Sequence, residues 1–278
     1  MVELLLEPFQ FSFMTRALAG TAMIALLSAM IGTFVVLKGL AFIGDAIAHT
    51  SFSGLALALL VGFNLYVGAL IFALVTALGV TFLQRTAKMR SDTALAIMFT
   101  GAFSFGIIVL STMPNFAGDL SALLLGSVLG IRAQELYWIA GAVLLTAGIL
   151  AMTWDHLVYV SFDPVGAEAA GLPVARLQML LLGLIATAIV VSIQAVGMIL
   201  VVALLITPAA SASLFTQRLM PMMGLAAVYG LLAVSVGLLL SFYLSAPPGA
   251  TIVLVATLLF GASLGASSLR ASLPWRRL

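Results

Sequence analysis

Apolar residues run along this chain in blocks of about twenty, separated by short stretches where charges, glycines and prolines collect. A helix of that length is what a bilayer crossing requires. Reading the blocks between charges predicts nine crossings, near 17–37, 41–62, 66–84, 94–113, 135–153, 176–194, 197–215, 222–244 and 250–268. The stretch from 176 to 215 is almost uncharged and too long for one helix, so it is folded back at Gln194-Ala195-Val196-Gly197; eight or ten spans also satisfy the pattern. The expected fold class is all-α: a polytopic membrane protein with about 8–9 transmembrane helices, forming a single membrane domain over 1–278.

Two apolar segments do not fit a crossing. The opening MVELLLEPFQFSFM places Glu3 and Glu7 before Pro8 and lacks the basic start and small-residue cleavage site of a secretory signal. Acids interleaved with apolar residues predict a short helix along the membrane interface within 1–16. Between Asp119 and Arg132, the run LSALLLGSVLGI is too short to span and predicts a re-entrant or interfacial helix.

Composition narrows the class. The chain is 64% apolar and 7% charged, against about 25% charged in an ordinary soluble domain, which excludes a soluble enzyme. With no cysteine, disulfide frameworks, thiolate metal cages and cysteine nucleophiles are excluded. The net charge of +2 is too slight to suggest nucleic-acid binding. The placement of the cations says more. With the crossings alternating and the C-terminus inside, Lys38, Arg85, Lys88, Arg90, Arg176, Arg218, Arg270, Arg276 and Arg277 fall in cytoplasmic connections, and only Arg16 and Arg132 fall outside. That asymmetry is what the positive-inside rule requires.

Only one crossing holds an acid and a histidine within it: Gly44-Asp45-Ala46-Ile47-Ala48-His49-Thr50-Ser51-Phe52-Ser53-Gly54. Four residues apart, Asp45 and His49 stack on one helix face. An intramembrane carboxylate costs about 2.5–3.5 kcal/mol on insertion scales, so it is expected to face a cavity or a partner. Carboxylate oxygen with imidazole nitrogen suits divalent transition metals such as Zn and Mn. One chain supplies too few ligands for a closed site, whereas a twofold homodimer with this helix on its axis would assemble two Asp and two His. The alternative is structural: the pair bonding to each other, or to Thr50 and Ser51. His156, beside Asp155 at a membrane edge, reads as a solvated interfacial residue.

A second segment lies on the cytoplasmic side, Phe162-Asp163-Pro164-Val165-Gly166-Ala167-Glu168-Ala169-Ala170-Gly171-Leu172-Pro173. Asp163 suits an N-cap, Pro164 the first helical position, Gly171 the residue after the helix, and Pro173 blocks continuation. These signals predict a helix of about two turns, marginal in water without a surface to pack on. It is either an ordinary loop helix on the membrane surface or a docking element for a cytoplasmic partner. The chain contains no GxxxxGK[ST] for ATP phosphates and no HExxH. The residue two before Ser53 is Ser51, not the glycine of a serine-nucleophile motif, so catalysis by this chain is not expected.

These residues carry a resemblance. LLEPFQFSFMTRAL, IGTFVVLKGLAFIGDAIAHTSFSGLALALL, FDPVGAEAAGLPVARLQMLLL, AVGMILVVALLITPAASASLF and LSFYLSAPPGATIVL succeed one another in order. Together they resemble the membrane permease subunit of bacterial ABC-3 importers for zinc and manganese. The resemblance implies a type II-like importer permease in the bacterial cell (inner) membrane and a homodimer of this chain. It further implies two cytoplasmic ATPase subunits beneath and an extracytoplasmic metal-binding protein outside, with no nucleic-acid partner and no permanently bound cofactor. It implies that Asp45 and His49 line the translocation path of Zn2+ or Mn2+. Asp163, Pro164, Glu168, Gly171 and Pro173 would belong to the element coupled to the ATPase. His49-Thr50-Ser51 is similar to the H-x-S pattern of zinc members, which makes zinc the expected cargo and manganese the next.

Rival classes make different demands. A proton-coupled secondary metal transporter would work without an ATPase. An intramembrane hydrolase needs a nucleophile and base that the sequence does not offer. A siderophore or cobalamin permease would not need an acid and an imidazole in its pore.

Overall fold

The structure, a computed structural model, describes residues 7–113 and 126–272. Long apolar segments without internal breakers become helices because a lipid-embedded backbone has to satisfy its own hydrogen bonds. In chain order these are α1 (Ser12–Leu37), α2 (Ala41–Val61), α3 (Leu65–Thr86), α4 (Ser91–Ser111), α5 (Ala133–Phe162), the short α6 (Pro164–Ala169), α7 (Val174–Val196), α8 (Met198–Ser213), α9 (Leu219–Leu244) and α10 (Pro248–Ser272). Eight of them are long and apolar enough to cross a bilayer. The protein is an all-α, multi-pass membrane protein.

The ends of the helices alternate between two sides as the cation count requires. One cavity gathers Lys38 and Leu40 from the α1–α2 turn, Gln84 from the end of α3, Leu95 from the start of α4 and Gln178 from the start of α7. On the other side, the rings of Tyr66 at the start of α3 and Trp138 at the start of α5 stack 6.0 Å apart. Close contact between helices arises from small residues. Gly54 and Gly68 bring the backbones of α2 and α3 so near that a side chain at Gly54 would strike the Gly68 carbonyl.

The structure departs from the expected boundaries at four places. Residues 7–10 form a single 3-10 turn with Pro8 buried, and α1 begins at Ser12. Within the described part of the opening segment, Pro8 is buried and Phe9 packs against the bundle; residues 1–6, where part of the expected interfacial segment falls, lie outside the described residues. The helix expected to end near 153 continues to Phe162. Asp155 and His156 point outward from it and do not interrupt it; the chain turns only where Asp163 precedes Pro164.

The fold-back at Gln194–Gly197 is present but differs from a surface turn. Gly197 adopts φ 83°, ψ 165°, a backbone region essentially reserved for glycine, and Ala195, Val196 and Met198 beside it are buried. α8 has 16 residues, about 24 Å, short of a full crossing of about 30 Å. Of the expected re-entrant run, residues up to 125 lie outside the described part. Its last residues pack inward: Gly126 lies on Val196 and Gly197, a 3-10 turn covers Val128–Gly130, and the buried Ile131 reaches Gly20 of α1.

Candidate functional site

Asp45 is the fifth residue of α2 and His49 the ninth, about 6 and 12 Å along the helix from its first residue. They therefore lie in the half of α2 nearest the α1–α2 turn, not at its midpoint. Phe42, Asp45 and His49 form a stripe on one face. Phe42 is 70% exposed, the Asp45 side chain 50% and the His49 side chain 26%. The opposite face of α2 is buried through Ile43, Ile47 and Thr50.

The imidazole is held from three directions. Its Nδ1 lies 2.9 Å from the Asp45 carbonyl oxygen and 3.4 Å from Asp45 Oδ1. The rings of Phe99 and Phe103 on α4 meet it edge-on, with centroids 5.1 and 5.5 Å away. With the Nδ1 proton donated to that carbonyl, Nε2 keeps its lone pair for a ligand. Packing one turn further along fixes the two helices together, since Ser53 Oγ donates to the Ala102 carbonyl at 2.6 Å. Thr50 and Ser51 do not serve the pair: their hydroxyls donate to the Ile47 carbonyl at 3.2 and 2.6 Å.

The arrangement presents one imidazole nitrogen and one carboxylate on an open face. Among the described residues no third histidine, cysteine, aspartate or glutamate joins them to form a metal-holding group. His156 and Asp155 are exposed on α5 and carry no such cluster either. Phe99 and Phe103, spaced one turn apart in the sequence, do not stand out by residue type in so apolar a chain. Only their partnership with a residue about fifty positions earlier reveals them.

The segment expected on the cytoplasmic side forms the short helix its signals require. Asp163 Oδ1 accepts from the Gly166 N–H at 2.8 Å, and Pro164 opens α6. At the other end Gly171 takes φ +83°. The Gly171 N–H then reaches the Glu168 carbonyl and the Leu172 N–H the Ala167 carbonyl, each at 3.0 Å, closing the helix with a Schellman motif. Ala167 alone is buried. Asp163, Pro164, Val165, Glu168, Gly171 and Pro173 are exposed, with Val165 at 77%. Six residues with one buried anchor form a protrusion, not a packed element.

The structure is a bundle of membrane-spanning helices with a polar pair on an exposed face and a capped protrusion, the form of a multi-pass membrane protein. The chain belongs to the ABC 3 transport family, which matches residues 10–266. It is 37% identical over 251 residues to the manganese transport system membrane protein MntC of Listeria monocytogenes, covering 90% of this chain and 89% of that one. It is 36% identical over 261 residues to the chelated iron transport system membrane protein YfeD of Yersinia pestis, covering 93% and 86%. Among solved structures, PsaBC from Streptococcus pneumoniae in complex with Fab superimposes with a TM-score of 0.84 at 31% identity, covering 95% of each chain.

Proposed function

We propose that this permease is the membrane subunit of an ATP-driven importer for a divalent transition metal, with manganese ahead of zinc as cargo. The observation that carries the reading is the Asp45–His49 pair, an acid and an imidazole with Nε2 unengaged, on an open face of a lipid-embedded helix. The order of metals departs from the expectation raised by His49-Thr50-Ser51. Relatives named for manganese and for chelated iron transport support placing manganese first, whereas nothing in them supports the zinc expectation raised by the H-x-S pattern. Carboxylate and imidazole accept either ion, and the Irving–Williams order alone would favour zinc.

In the proposed cycle a metal-binding protein releases the ion from outside into a cleft between two copies of this chain. Asp45 and His49 of both copies hold it as substrate. Two ATPase subunits seated on the 163–173 protrusions close and open the halves, and ligands of moderate strength let the ion leave inward. The test is uptake of manganese by vesicles containing the assembled complex. Asp45→Asn and His49→Ala should each lower uptake by more than about tenfold while the complex still assembles. Undiminished uptake in either variant overturns the role. Competition by zinc in the same assay ranks the two metals, and uptake without any ATPase would support the proton-coupled alternative instead.

A further inference from the structure

The cavity at the α1–α2 turn belongs to none of the machinery above. It encloses about 200 Å³ and is lined by Lys38, Thr81, Gln84 and Gln178 together with Leu40, Ile43, Val80, Leu95, Leu181 and Leu182. Lys38 supplies an ammonium and Gln178 an amide, the Thr81 hydroxyl donates to the Ala77 carbonyl at 3.0 Å, and no acid lines the cavity. Among the described residues no carboxylate pairs with Lys38. A partly buried ammonium without a counter-charge is costly unless something anionic completes its environment. Burial lowers the Lys38 pKa, which agrees with that unmet demand.

The surroundings favour an anion over a cation. The α3–α4 connection beside the cavity carries Lys88 and Arg90, and Arg176 lies two residues before Gln178; against these three cations, the acids close in sequence to lining residues are Asp92, in the first turn of α4, and Asp45, two residues after Ile43 on α2. By the distribution of cations this is the cytoplasmic side, where the leaflet is rich in anionic phospholipid and basic pockets between helices take headgroups. The six apolar lining residues would have no use for a hydrated inorganic ion. They suit the glycerol and acyl stem attached to a headgroup phosphate.

We propose that this cavity binds a phosphate-bearing anion through Lys38, with the Gln178 amide as a neutral donor, and that its source is an anionic phospholipid of the inner leaflet. The inference does not rest on the metal reading, since neither Asp45 nor His49 lines the cavity.

The test reconstitutes the full chain in nanodiscs of equal parts phosphatidylcholine and phosphatidylglycerol, then counts retained lipid by native mass spectrometry. The wild type should keep phosphatidylglycerol preferentially. Lys38→Gln should lower that preference by about fivefold, the effect of one lysine facing an anionic lipid, and Lys38→Arg should keep it. Leu182→Trp, which fills the cavity without changing charge, should also lose it, and carries the test if Lys38→Gln fails to fold. Adding inorganic phosphate separates the sources. If phosphate displaces the lipid in the wild type and not in Lys38→Gln, the site is a phosphate site open to the free ion; if the lipid stays, its source is the membrane. Equal retention of both lipids by the wild type, or unchanged preference in both Lys38→Gln and Leu182→Trp, overturns the proposal.

Discussion

Lys38 ends α1, where the helix dipole favours a cation, yet burial withdraws it from water and depresses its pKa. Between the lowered native value and the ordinary lysine value the unfolded chain binds more protons, so this residue's contribution to stability rises with pH across that window and is lost as pH falls through the native value. Thermal unfolding of the delipidated protein should therefore show Lys38→Met to be more stable than wild type at neutral pH, with the gap narrowing as the pH becomes alkaline. A gap independent of pH would contradict this assignment. Gly54 offers a second residue-scale test, because any side chain there meets the Gly68 backbone. Gly54→Leu should destabilise by about 1–3 kcal/mol, whereas Gly101→Ala, with open space around it, should leave unfolding unchanged or slightly raised. At this scale the sequence revealed the Asp45–His49 pair, since an acid inside an apolar block has a visible cost. It did not reveal the phenylalanine walls of His49 or the Lys38 cavity. Both are built from residues on different helices, and no local pattern links them.

Among the elements, α6 was the most legible, because each of its signals acts locally. Asp163 caps, Pro164 starts and Gly171 stops within eight residues of one another, and no distant contact is needed to read them. The same features make it testable. Asp163→Ala should cost about 1 kcal/mol of local stability, and Gly171→Val should strain the left-handed position. Under the proposed function both should lower transport-coupled ATP hydrolysis while metal binding to the permease persists; a loss of binding as well would place the segment elsewhere in the cycle. The end of α5 was less legible. Asp155 and His156 look like a membrane edge in sequence, but on a helix they simply face outward while Leu157 and Val160 remain buried. Charge marks where lipid ends, and a helix can continue past that point.

For the molecule as a whole, the cation distribution gave the sidedness, and the cavity that joins the ends of α1, α3 and the starts of α2, α4 and α7 agrees with it. The association of two copies is a different matter, because one sequence and one chain do not display a seam. The homodimer reading predicts that the exposed stripe of α2 faces its symmetry mate. Since the chain has no cysteine, Phe42→Cys provides a unique thiol, and mild oxidation in membranes should yield a disulfide-linked species of twice the mass. Failure of that cross-link, with the same thiol readily labelled by a water-soluble reagent, would remove α2 from the axis.

The unbroken course of α5 also bears on how force would cross the protein under the proposed function. Its thirty residues make a rod about 45 Å long, with Trp138 stacked on Tyr66 near one tip and the Asp163 cap at the other. No proline lies along it to break its hydrogen-bond ladder. Under the proposed function, pressure applied by the ATPase at the capped tip would swing the far tip as a seesaw does, carrying the motion to the opposite side of the membrane along a single helix.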